Sequence, residues 1–153
     1  ETREVSDLMS SQFGRLKRLV TEVRYVTSEL PGNDRYPVLY QDDSLVADNV
    51  ELIQKLSHAK SVEHTDQARG LRLAASGRDA WLDISDELLY EHQTNLEKRL
   101  AEARNDVAAL EQRLSNEHYV ERAPAHLVEE SRDALASKKA LVERLEDELT
   151  VLG

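Results

Sequence analysis

The side chains that could do chemistry are few, and their spacing narrows what they could do. Five histidines, His58, His64, His92, His118 and His126, supply the imidazoles, and none stands four residues from another or inside a His-Glu-x-x-His pattern. His58 and His64, with Asp66 behind them, read as a loop, so no metal site is expected. Asp83, Asp86 and Glu87 bring carboxylates close in sequence, as acid–base catalysis requires. Asp86, however, stands at the start of a long helical pattern, where an acidic side chain caps orphan amides and complements the helix dipole, and capping is the expected role. There is no glycine-rich phosphate loop, and scattered Ser, His and Asp residues do not make a triad. Cysteine is absent, which excludes disulfides, zinc knuckles, iron–sulfur clusters and thiolate nucleophiles. What remains is the chemistry of cations: Arg99, Arg104, Arg113, Arg122, Arg132, Lys138, Lys139 and Arg144. The guanidinium fork matches a phosphate, and Tyr119, next to His118, offers a face to a base or ribose. The competing reading is that these cations only balance Glu97, Glu102, Glu111, Glu143 and Glu146 at helical spacing on the solvated flanks of a coiled coil.

The elements that must position these cations are mostly helical. Val5 to Leu30 places Leu16, Leu19, Val20, Val23, Val26 and Leu30 on one face, which predicts an amphipathic helix stopped by Pro31-Gly32-Asn33-Asp34. From Arg35 to Asp86 the period changes. Tyr36 to Tyr40 reads as a strand, Val46 to Leu56 as a short helix, and Leu71 to Ile84 as a hairpin turning at Gly77-Arg78-Asp79, which predicts a small β-α-β-β unit. Beyond it, Leu89, Leu96, Leu100, Ala103, Val107, Leu110 and Leu114 form a heptad seam. After a break from Ser115 to Ala125 the seam resumes as Val128, Ser131, Leu135, Lys138, Val142, Leu145, Leu149 and Leu152. Asn116 suits a left-handed helix end, Pro124 suits the first turn of the next helix, and Tyr119-Val120 suits a plug at the end of the seam. The expected fold is mainly α: an antiparallel coiled-coil hairpin about 35–40 Å long, joined to a small α+β unit and an N-terminal amphipathic helix. The divisions are 1–30, 31–88 and 89–153.

Charge bounds the partners. Twenty Lys and Arg against thirty Asp and Glu give −10, with 11 basic and 16 acidic residues before Leu89 and 9 and 14 from there on. Such a chain does not coat polyanions indiscriminately, so any nucleic-acid contact must be local. No apolar run approaches the ~18 residues that span a bilayer, and Glu1-Thr2-Arg3-Glu4 is unlike a signal peptide, so a cytoplasmic location without membrane contact is expected.

The break reads Leu114-Ser115-Asn116-Glu117-His118-Tyr119-Val120-Glu121-Arg122-Ala123-Pro124, followed by Leu127-Val128. It resembles the turn in the C-terminal arm of valyl-tRNA synthetases: Leu-Ser-Asn, an aromatic-Val pair, then Ala-Pro restarting a helix. Leu19-Val20-Thr21-Glu22-Val23-Arg24, with Ser28-Glu29, resembles the helix that closes that family's anticodon-binding domain. His118 stands where the family usually has a small residue, and Tyr25-Val26-Thr27 lacks a second arginine common there. The resemblance implies a tRNA-binding module whose arm rests against the outer corner of tRNA, where the D and T loops meet. The eight cations above would then be contact candidates, and Asn116, Tyr119 and Pro124 would shape the tip. It also implies valine-specific tRNA and the rest of the synthetase as partners. The family's His-rich and Lys-Met-Ser-Lys-Ser signatures are missing, so no catalytic residue, metal or cofactor is expected in this chain, with ATP and magnesium confined to the absent catalytic domain. A monomer is expected. The alternative is a coiled-coil protein-interaction or dimerisation module that never meets nucleic acid.

Overall fold

The structure, a computed structural model, describes residues 2–152, with side chains from Phe13 onward. The chain divides into two compact units, Glu1–His92 and Gln93–Gly153.

The first unit is built on α1, Thr2–Glu29. The expected stripe of Leu16, Leu19, Val20, Val23, Val26 and Leu30 is buried along its length. The Leu30 N–H closes the last turn on the Thr27 carbonyl at 3.2 Å, just before Pro31. That stripe packs on two short helices, α2 (Ser44–Ala47) and α3 (Val50–Ser57), with Val46 and Ile53 fully buried. Beside them runs a four-stranded sheet in the order β2-β1-β4-β3, formed by Val38–Tyr40 (β1), Val62–His64 (β2), Leu71–Arg72 (β3) and Ala80–Leu82 (β4). β1 is central and buried throughout. It pairs in parallel with β2, Val38 opposite Val62, and antiparallel with β4, Val38 opposite Leu82. A parallel neighbour needs a crossover, and α2 and α3 supply it.

The single helix expected from Val46 to Leu56 is split into α2 and α3, and two features of the sheet also depart from the β-α-β-β expectation. The first is β2, a fourth strand that Val62-Glu63-His64 hardly announces, since only Val62 is buried. Bonds to the central strand hold the segment extended, from the Val38 N–H to the Ser61 carbonyl at 2.8 Å and from the Thr65 N–H to the Tyr40 carbonyl at 2.9 Å. The second is the hairpin, whose leading strand stops at Arg72, after which Ala74–Ser76 coils into a 3₁₀ turn. The cause lies on α1. The Glu22 carboxylate accepts the Ala75 N–H at 2.7 Å and the Ser76 N–H at 3.1 Å, taking amides that a longer strand would have offered to the sheet. Gly77 closes the turn at φ 71°, as glycine can without a Cβ clash.

Gly70 is under a second constraint. At φ 82° its Cα faces the Leu82 carbonyl oxygen so closely that any Cβ would collide with it. On the loop after β1, Asp43 accepts the Val46 N–H at 3.2 Å to cap α2 and receives Arg78 Nη1 at 2.7 and 3.0 Å. Only 18% of the Arg78 side chain and 12% of the Asp43 side chain are exposed, so this pair is shielded and ties two loops together.

The carboxylates singled out near the start of the long helix are structural. Asp83 is gripped by Arg69 through Nε and Nη2, both at 3.2 Å. The cap of α4, Asp86–Ser115, is Ser85 rather than Asp86: its Oγ accepts the Leu88 N–H at 3.1 Å, while Asp86 and Glu87 occupy the first turn, where their charge still favours the dipole.

Candidate nucleic-acid interface

The second unit is a helical hairpin made of α4 from Gln93 onward, a short α5 (Glu117–Arg122) and α6 (Ala125–Leu152). Its seam follows the heptads. Leu96, Leu100, Ala103 and Leu145 form a buried cluster, with Leu141, Val142, Leu149 and Leu152 packed against it. Ala103, a narrow residue on the seam, is 2% exposed, so the helices approach closely there rather than leaving a gap.

Cations tie the two helices across the seam. Arg104 reaches Glu146 at 2.9 Å, Lys138 reaches Asp106 at 3.1 Å and Lys139 reaches Glu111 at 3.4 Å. Arg104 pairs with Glu146, while Asp106 and Glu111, further along α4, pair with Lys138 and Lys139, earlier in α6, which fits an antiparallel hairpin. Lys138, a charge at a seam position, resolves its own conflict by extending its ammonium to the rim while its stem stays half-buried. Each of these side chains is between 41% and 59% exposed, so the ties are solvent-screened and individually weak.

The turn departs from expectation in one residue. Asn116 is extended, at φ −80° and ψ 107°, not left-handed, and its side chain accepts the His118 N–H at 3.0 Å. It starts α5 rather than ending α4, because a side-chain oxygen placed two residues before a free amide is worth more as a cap than the residue is as a left-handed stop. Pro124 immediately precedes α6, and its carbonyl accepts the Leu127 and Val128 N–H groups at 3.0 and 3.3 Å. Tyr119 covers the end of the seam. Its hydroxyl lies 3.2 Å from Ser131 Oγ and donates to the Leu127 carbonyl at 3.5 Å. This explains a hydroxyl at a heptad position: Ser131, 6% exposed, is satisfied by the plug that shields it. The Arg113 guanidinium sits 5.8 Å above the Tyr119 ring, a cation–π contact.

The eight candidate cations therefore fall into groups. Arg104, Lys138 and Lys139 hold the hairpin together, Arg132 leans on Glu129 at 3.7 Å along α6, and Arg113 stacks on Tyr119. Arg99 and Arg144 are engaged as well. Arg122 is exposed in the last turn of α5, next to the plug. The tip segment thus carries Arg113, stacked on Tyr119, together with the exposed Arg122, His118 and His126. Among the described residues no three His, Asp or Glu side chains gather as metal ligands, and no helix is long and apolar enough to cross a membrane. Within the α+β unit, α1 carries a further group of exposed cations, Arg15, Lys17 and Arg18, three in four residues.

A paired-helix arm with a stiff seam and a cation-bearing tip presents surface rather than a pocket. Residues 89–153 match the family described as the valyl tRNA synthetase tRNA binding arm. The similarity extends beyond the arm to three valine–tRNA ligases. That of Thermotoga maritima is 24% identical over 152 residues, covering 95% of this chain and 18% of the relative. That of Deinococcus radiodurans is 30% identical over 151 residues, covering 92% and 16%. That of Granulibacter bethesdensis is 33% identical over 143 residues, covering 85% and 16%. The chain spans less than a fifth of the length of these curated relatives.

Proposed function

We propose that this chain is the non-catalytic, tRNA-binding C-terminal module of a valine–tRNA ligase. In this reading residues 1–30 complete the anticodon-binding helical domain, 31–88 form the root, and 89–153 are the arm, resting against the outer corner of the tRNA so that a distant catalytic domain can charge the 3′ end. The observation that carries it is the arm-family match over 89–153, falling on a hairpin whose seam is closed within one chain. The contribution to catalysis is positioning. The chain itself needs no cofactor, ATP and magnesium acting in the catalytic domain, and its partners are valine-specific tRNA and the rest of the synthetase, as a monomer in the cytoplasm. A self-association module finds less support, because Leu96, Leu100, Ala103 and Leu145 are already buried by the hairpin itself.

The test is titration with folded tRNA at two salt concentrations. Binding is expected to be weak and to fall steeply with salt, because few cations act against a −10 chain. Arg113→Glu with Arg122→Glu should reduce it while leaving the helical signal intact. Equal affinity for unstructured RNA of the same length, or no loss in the double variant, would remove the arm tip from the interface.

A further inference from the structure

Most of the arm's candidate cations already have partners. Arg104, Lys138 and Lys139 give their donors to carboxylates across the seam, and Arg132 gives its own to Glu129 along α6. Arg113 is held differently, by a ring: its guanidinium carbon stands 5.8 Å from the centroid of Tyr119. The local chain explains the meeting. Arg113 lies in the last turn of α4, its carbonyl accepts the Asn116 N–H at 3.2 Å, and the Asn116 cap starts α5, which brings residue 119 back beside residue 113. The ring is anchored on its other side. Its hydroxyl lies 3.2 Å from Ser131 Oγ and 3.5 Å from the Leu127 carbonyl, both on α6, and the side chain is half-buried.

A carboxylate and a ring hold a guanidinium in unlike ways. A carboxylate takes up its N–H donors, whereas the face of a ring attracts the charge and takes none of them, so the fork of the exposed Arg113 stays available. This matters because the tip has no cationic excess: Glu117 and Glu121 stand on the same short helix as Arg122. Where the local field does not gather phosphates, a donor contributes by being ordered beforehand, since rotamer freedom lost on folding is not lost again on binding. We propose that Tyr119 is a positioning residue, which holds the Arg113 guanidinium ready for a backbone phosphate of folded tRNA and does not itself stack on a base. The proposal rests on the tRNA reading of the arm and names the donor through which the tip acts.

The experiment is titration of the full chain with folded tRNA over a salt series, arranged as a double-mutant cycle. Arg113→Gln should weaken binding about fivefold and flatten the log–log salt dependence by about one, as loss of one phosphate contact does. Arg122→Gln makes the same change in charge at the tip and should cost about twofold, with a smaller change of slope. Tyr119→Leu should weaken binding about threefold while Arg113 is present, and should add nothing to the loss from Arg113→Gln. Tyr119→Phe keeps the ring and should recover affinity to within about 1.5-fold of the unaltered chain, even though losing the hydroxyl lowers the melting temperature. Tyr119→Met is read in place of Tyr119→Leu if thermal melts show the latter misfolded. A loss from Tyr119→Leu that is the same in both backgrounds would mean that the ring meets RNA itself or only supports the tip. That result, an unchanged salt dependence in Arg113→Gln, or a loss from Tyr119→Phe as large as that from Tyr119→Leu, would overturn the positioning role while leaving the arm reading in place. Failure of the unaltered chain to bind tRNA at low salt would overturn both.

Discussion

The two units solve the same problem, holding polar groups against an apolar seam, with opposite economies. In the α+β unit the core comes from side chains far apart in sequence, and the decisive ion pair, Arg78 with Asp43, is largely shielded and doubles as a helix cap. In the hairpin the core is one row of heptad side chains, and the ions that flank it, such as Arg104 with Glu146, are half exposed. A shielded, hydrogen-bonded charge leaves an uncompensated partner when broken, whereas a screened one leaves a hydrated side chain. The lesson concerns function as much as stability. The hairpin's cations cost little to release from their partners, whereas Arg78 is committed to the fold.

That contrast can be broken most sharply at Leu145, which is fully buried in the hairpin seam. Leu145→Asp places a charge there at a cost of about 4 kcal/mol, and should abolish the hairpin's share of the helical circular dichroism signal at modest temperature. Trp81, the single tryptophan, lies in β4 of the other unit and should keep its fluorescence transition. A helical signal unaffected by the substitution would contradict the seam. Next in size is Arg78→Met, expected to destabilise the α+β unit by about 2–3 kcal/mol, read from a shift of the Trp81 unfolding midpoint in denaturant. Tyr119→Phe sharpens the comparison at the tip. Losing the hydroxyl that faces Ser131 should cost about 1 kcal/mol of hairpin stability in thermal melts, and a stabilised variant would mean that Ser131 has no need of the plug. The smallest effect is assigned to Arg104→Met, at less than about 0.5 kcal/mol and smaller still in high salt. A loss as large as that from Arg78→Met would erase the distinction between shielded and screened pairs.

Much of this architecture is written locally and could be read without coordinates. Heptad spacing of Leu96, Leu100 and Ala103 against Val142, Leu145 and Leu149 defines a hairpin because a 3.5-residue period leaves one narrow seam, and the only partner close in sequence is the other helix. The α1 stripe and the stop at Pro31 are equally local, being properties of periodicity and of proline's restriction on its neighbour. The tip motif carried the resemblance to the synthetase arm for the same reason.

What the tertiary structure decided was every matter in which a group had more than one eligible partner. Val62-Glu63-His64 became a strand only because β1 lay open beside it, and the amides of Ala75 and Ser76 turned from the sheet only because Glu22 on α1 reached them. Ser85 took the cap that Asp86 could have filled. Of the eight cations named from sequence, composition could not say that Lys138 and Lys139 would bridge to Asp106 and Glu111 while Arg122 stood exposed at the tip. Nor could it say that Arg15 and Arg18 would stand on one wall of a cleft whose other wall holds Asp42, Asp43 and Asp79. Periodicity encodes which face is apolar, because burial repeats with the helix. The pairing of charges is not encoded there, because a long flexible side chain chooses among neighbours that only folding brings within 4 Å of it.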